Sequence, residues 1–153
     1  MTTFDFTVCA TSPQANDICG DAIDIDGVSV TGNLCEASVE TENSETGYSC
    51  ATGADANDLW YKVTMGASDA DQVLNVDLTF TNATDEVVVE LYKACFTNTF
   101  LECATVSSTG ASSVVSHQFS NLISASGFGP EWLVRVVPLA GNSVCDFTIS
   151  ADR

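Results

Sequence analysis

The sequence predicts an all-β domain: a two-sheet antiparallel β-sandwich, of jelly-roll or immunoglobulin-like topology, with disulfides. Three observations predict it. Apolar residues recur with period two and almost nowhere with the period of a helix, clusters of Gly, Asn, Asp, Ser and Thr punctuate the alternating runs, and the chain carries seven cysteines. About eight or nine short strands imply two packed sheets, because a single sheet would leave an apolar face in water.

The first strands are expected near residues 22–31 and 34–41. Alternation is clearer afterwards: Leu59, Tyr61, Val63 and Met65 alternate with Trp60, Lys62 and Thr64, and Leu74, Val76, Leu78 and Phe80 alternate with Asn75, Asp77 and Thr79. Val87, Val89 and Leu91 then alternate with Val88, Glu90 and Tyr92, and further strands are expected near 100–106 and 113–120. Trp132, Val134 and Val136 alternate with Leu133, Arg135 and Val137, and Phe147 and Ile149 close the series. Turn-forming clusters separate the runs, among them residues 53–57, 81–85 and 107–110.

Charge excludes several function classes. Four Lys and Arg stand against 21 Asp and Glu, a net charge of −17, so neither a phosphate backbone nor an anionic lipid surface finds a complementary patch. No apolar run is long enough to span a membrane as a helix, and residues 1–20 have no signal-peptide pattern, so the chain reads as soluble with any secretion signal removed or outside it. Cysteine use points to an oxidising compartment, hence a secreted or cell-surface location, and the odd count leaves at least one thiol unpaired or bonded to another chain.

The opening segment has a twin. Asp5-Phe6-Thr7-Val8-Cys9-Ala10 matches the pattern of Asp146-Phe147-Thr148-Ile149-Ser150-Ala151, so each buries Phe with Val or Ile on one face and shows Asp and Thr on the other. Degenerate strand patterning is the plain explanation. Two functional explanations stand beside it: the segment is the last strand of a preceding domain in a tandem array, or residues 1–14 are a strand extension ahead of a sandwich domain over 15–153, able to mimic the closing strand in a neighbouring molecule.

From residue 15 onward, Ala15-Asn16-Asp17-Ile18-Cys19 with Ala22, Thr31-Gly32, Asp58-Leu59-Trp60-Tyr61-Lys62-Val63, Leu91-Tyr92 with Cys95 and Cys103, Trp132-Leu133-Val134-Arg135-Val136 and Asp146-Phe147-Thr148-Ile149 follow one another. This order resembles bacterial secreted β-sandwich modules related to pre-peptidase C-terminal domains. The resemblance implies a sandwich without a catalytic centre, used as an accessory, adhesive or binding unit outside the cell. It implies a disulfide between Cys95 and Cys103, a spacing that a hairpin could also bridge, and a second between Cys19 and Cys50. Sequence leaves Cys9, Cys35 and Cys145 unconnected; joining Cys35 to Cys145 would free Cys9 for another subunit. Ala104-Thr105 stand where such modules often carry consecutive acids, which weakens any metal site on that loop.

Other constellations have bland readings beside the sharp ones. The lone histidine, His117, sits in an alternating run with neither a nucleophile motif nor a partner motif around it. No cofactor is required; calcium is the candidate ligand, with Asp17 and Asp21 (near Asp24 and Asp26) forming one cluster and Asp55, Asn57 and Asp58 another, against the plain reading of a solvated acidic surface. Trp60, Tyr61, Tyr92, Phe128 and Trp132 invite sugar stacking but are better explained by packing. Asn82-Ala83-Thr84 is a glycosylation-type sequon. The expectation is a non-enzymatic extracellular structural or adhesive subunit that polymerises end to end through Phe4, Phe6, Val8 and Cys9. The alternative is a carbohydrate-binding accessory module with a glycan partner.

Overall fold

In the computed structural model, which describes residues 14–37, 57–65, 72–95, 100–122, 130–139 and 144–153, the chain is almost entirely β. Among the described residues a 3-10 turn, Cys19–Asp21, precedes nine strands: β1 Ile23–Asp24, β2 Val30–Asn33, β3 Leu59–Thr64, β4 Gln72–Phe80, β5 Glu86–Tyr92, β6 Phe100–Ser107, β7 Val114–Leu122, β8 Glu131–Pro138 and β9 Asp146–Asp152. The expected first strand thus breaks into β1 and β2 around a turn. Of the strand expected at 34–41, residues 34–37 are turn, and 38–41 lie outside the described residues.

Two sheets pack face to face, one ordered β1-β3-β8-β5-β6 and the other β2-β9-β4-β7. Among the described residues the strand pairings are antiparallel except β1 with β3, and the isolated bridge between Asp26 and Ala151 is parallel too. From β2 onward every consecutive pair of strands crosses between sheets save the β5–β6 hairpin, and the orders β2-β9-β4-β7 and β3-β8-β5-β6 are those of a jelly roll. That decides between the two topologies the sequence allowed.

Alternation places the core as expected. Leu59, Tyr61 and Val63 from β3, Val134 and Val136 from β8, and Val87, Val89 and Leu91 from β5 face Leu74, Val76, Leu78 and Phe80 from β4 and Phe147, Ile149 and Ala151 from β9. Register keeps these sets on one face, since a one-residue slip would turn each of them to water. The outer face of the four-stranded sheet is polar; there Ser116 donates to Asp77, and Gln118 Nε2 donates to Asn75 Oδ1 at 2.9 Å.

Residues 23–33 close one lateral side of the sandwich. Ile25 N donates to Lys62 O in one sheet (3.0 Å), while Ile25 O accepts from Ala151 N in the other (3.0 Å) and Gly27 N donates to Ala151 O (2.9 Å). Gly27 has φ of 65°, the left-handed conformation that glycine adopts without a Cβ penalty. At Gly32 an added Cβ would meet the Tyr61 hydroxyl and lie 2.6 Å from Phe147 Cζ, so this edge packs with no room for a side chain. The disulfide between Cys35 and Cys145 fastens the end of this segment to the start of β9 with Cα atoms 4.8 Å apart. Of the three cysteines the sequence left unconnected, Cys35 and Cys145 thus pair within the domain.

Candidate functional site

Sequence alternation puts Trp60, Arg135 and Glu90 on the face of the five-stranded sheet that turns away from the core. Register aligns them in one row, with Trp60 opposite Arg135 and Arg135 opposite Glu90. A face that carries Trp60, Tyr92 and Leu133 is costly to leave in water, and here it is covered. Residues 14–22 form a strap across it: Trp60 N donates to Asn16 O at 2.8 Å, and Asn16 Nδ2 donates to Trp60 O at 2.9 Å. Trp60, Tyr92 and Leu133 make a second small core there, with Cys19, Ala22 and Cys95 packed against it. Trp60 and Tyr92 meet with ring centroids 5.3 Å apart.

A disulfide between Cys19 and Cys95, Cα atoms 5.6 Å apart, pins the strap to the end of β5. This corrects both pairings that the resemblance implied for Cys95 and Cys19. Cys103 stands opposite Glu90, so the hairpin register carries it away from Cys95 in the loop beyond Tyr92, whereas a disulfide needs Cα atoms within about 7 Å. Cys19 is taken by Cys95 and so cannot pair with Cys50, which lies outside the described residues. Cys103 is itself disulfide-bonded.

Beneath the strap sits a buried ionic cluster. Arg135 Nε donates to Asp58 Oδ2, Arg135 Nη1 donates to Glu90 Oε2 at 3.0 Å, and Tyr92 Oη donates to the same Glu90 oxygen at 2.8 Å. Asp58 and Glu90 have no exposed surface. Burial pushes the Asp58 carboxyl up to about 6, against the pull of Arg135; Asp17 on the strap adds repulsion in the same upward direction. Burial opposes the charge of Arg135, but the Asp58 and Glu90 carboxylates outweigh it and hold the guanidinium protonated. Burial, reinforced by Glu90, keeps Tyr92 protonated and therefore a donor. The arrangement ties together the entry to β3, the middle of β8 and the end of β5.

Several expected site residues change meaning in this setting. Of the two proposed calcium clusters, Asp17 and Asp58 come close enough to repel each other, and the cation that Asp58 meets is the Arg135 guanidinium. Asp21 is exposed on the 3-10 turn, Asn57 Nδ2 donates to Leu34 O at 3.1 Å, and Asp55 lies outside the described residues. Among the described residues no three His, Cys, Asp or Glu side chains are grouped to hold a metal. Trp60, Tyr61, Tyr92 and Trp132 are buried, as packing requires, and Phe128 lies outside the described residues. Asn82 is exposed in the β4–β5 turn, where its amide donates to Asp85 Oδ2 at 3.3 Å. His117 turns inward edge-on to Phe119, ring centroids 4.6 Å apart. Phe4, Phe6, Val8 and Cys9, with nearly all of the 1–14 extension, lie outside the described residues.

Sequence reasoning missed Arg135 and Glu90. A signal was present: Arg135 interrupts an apolar run from Trp132 to Val137, and a charge flanked by apolar residues on both faces of a strand needs a buried counter-ion. The remaining basic residues are also engaged: Lys62 pairs with Glu131 at 3.8 Å, Arg153 with Asp26, and Lys93 lies 4.1 Å from the Trp132 ring centroid. No helix among the described residues is long and apolar enough to cross a membrane. No protein-family model matches this chain, and no curated protein matches it in sequence.

Proposed function

We propose that this chain is a non-enzymatic, extracellular structural or adhesive subunit that assembles end to end by strand addition, residues 4–10 of one copy completing a sheet of the next. The observation that carries this reading is the position of β9. Its sequence, which residues 5–10 repeat in pattern, forms a strand paired on both sides by β2 and β4, with Phe147, Ile149 and Ala151 in the core. A segment with that pattern needs the same two things, main-chain partners and an apolar floor for alternate side chains. Disulfides that anchor both the strap and the closing segment suit a protein of an oxidising exterior. The resemblance of the motif order to secreted β-sandwich modules supports the same setting.

A head-to-tail contact of this kind propagates as a filament unless its rotation closes a ring. In the full-length chain, replacing Phe4, Phe6 and Val8 by Asp is expected to abolish filaments in negative-stain electron microscopy while leaving the fold intact by circular dichroism. Filaments that persist in this variant overturn the reading. Cys9→Ser is expected to remove reducible multimers from non-reducing gels. Trp60, Tyr61, Tyr92 and Trp132, the described aromatic residues named for sugar stacking, are buried.

A further inference from the structure

We propose that the seam between β6 and β7 is the acceptor for the donated strand, taking residues 4–10 of a second copy with Phe4, Phe6 and Val8 turned inward. This rests on the strand-donating reading above and adds where the strand docks.

β6 ends one sheet and β7 ends the other, on the same lateral side of the sandwich. Among the described residues no strand pairs with their outer edges, and an edge of this kind offers main-chain N–H and C=O groups to another chain. The interior is also incompletely sealed there. Glu102 and Ala104 share the inward face of Leu91 and Val89 by register, yet Glu102 is exposed and Ala104 half-buried; Val115 and His117, opposite Leu78 and Val76, are half-buried too. Among the described residues of these two strands, Val106, Phe119 and Leu122 are buried. On the opposite side Ile25, where the chain crosses from one sheet to the other, is fully buried, and Ile23 and Val30 on the edge strands are half-buried. An extended strand beside β7 would cover this gap with alternate side chains, which is the chemistry that residues 4–10 offer.

Charge selects the same place. Two copies of a chain with net charge −17 repel, so a close contact must form where acids are scarce. No Asp, Glu, Lys or Arg occurs between Glu102 and Glu131, a stretch that contains most of β6 and all of β7. Natural edge strands are commonly protected from pairing by charge or proline. β7 has neither, and Val114 at its start is 62% exposed. The donor segment is nearly neutral as well, with Asp5 its one charge.

The test is amide hydrogen exchange on the full-length chain, dispersed and assembled, and on the dispersed chain with a synthetic peptide of residues 2–11 in which Cys9 is replaced by Ser. Exchange in residues 100–107 and 114–122 is expected to slow by roughly tenfold or more on assembly and with peptide, while residues 30–33 on the closed side stay unchanged. Ala104→Glu, which places a second acid beside Glu102 in the seam, is expected to abolish assembly; the exchange measurement on the native chain decides independently of this variant. If assembly needs Phe6 but the protection falls outside β6 and β7, the seam is wrong and strand donation stands. Protection of β7 in closed dimers that the peptide does not disturb means symmetric edge pairing and overturns the donor. Assembly indifferent to Phe4, Phe6 and Val8, or no assembly and no peptide binding, overturns both.

Discussion

On one lateral side of the sandwich, residues 23–33 hydrogen-bond to both sheets, a disulfide fastens the segment to β9, and Ile25 is fully buried where the segment crosses between the sheets. On the other side β6 and β7 end their sheets with half-buried residues facing inward. The same alternating pattern built both. What differs is whether a chain segment crosses from sheet to sheet, and the contrast teaches that edge closure is a separate problem from core formation. Stability should concentrate on the closed side, and substitutions on the open side should affect association more than folding.

The largest expected effect is loss of the Cys35–Cys145 disulfide, whose sequence separation is 110. Replacing both by Ser is expected to destabilise the chain by roughly 4–5 kcal/mol, read from the urea midpoint without reductant. A loss near zero would mean that the main-chain bonds of residues 23–33 close this side unaided.

Arg135→Met comes next. It strands Asp58 and Glu90 beneath the strap, and a broken buried ion pair costs about 3–5 kcal/mol. Replacing Asp58, Glu90 and Arg135 together by apolar residues is expected to recover much of that loss, because the desolvation cost leaves with the charges. Chemical denaturation of both variants measures it.

Asp58 also sets a pH dependence. Its carboxyl is raised to about 6 from an ordinary value of 3.8, so the folded state holds a proton that the unfolded chain releases. The favourable contribution is complete below the ordinary value and is lost as pH rises through the folded one, on the order of 2–3 kcal/mol. The thermal midpoint should fall between pH 4 and pH 7 (roughly) more steeply in the native chain than in Asp58→Asn. Parallel profiles would remove Asp58 as the cause and leave the general acidity of the surface.

The smallest effects separate the two sides directly. Gly32→Ala, on the closed edge, drives a methyl group into Tyr61 and Phe147 and is expected to cost about 1–3 kcal/mol. Gln118→Thr, exposed on β7, is expected to stay within about 0.5 kcal/mol. Equal effects in thermal denaturation would dissolve the distinction.

Much of the fold was legible because period-two alternation assigns faces residue by residue. Leu59, Tyr61 and Val63 pointed inward as their spacing required, as did Leu74, Val76 and Leu78. The candidate site was legible only in fragments. Alternation set Trp60, Glu90 and Tyr92 on the outer face but could not say that residues 14–22 would cover it. Asp17 and Asp58 were picked out for their charge, while the partner that gives that charge its meaning, Arg135, lies 77 positions from Asp58. Cysteine pairing failed for a related reason: Cys95 and Cys103 are close in sequence, but the β5–β6 register separates them and the strap brings Cys19 across instead.

By itself the sequence determined the strand content, the inward faces, the acidic surface and the need for disulfides, because each is a local or summed property of the residues. Tertiary structure alone decided the jelly-roll order, the second small core under the strap, the Cys19–Cys95 bond and the contrast between a closed and an open edge. These depend on which distant segments meet, and a pattern that repeats every two residues is the same for every partner a strand could take.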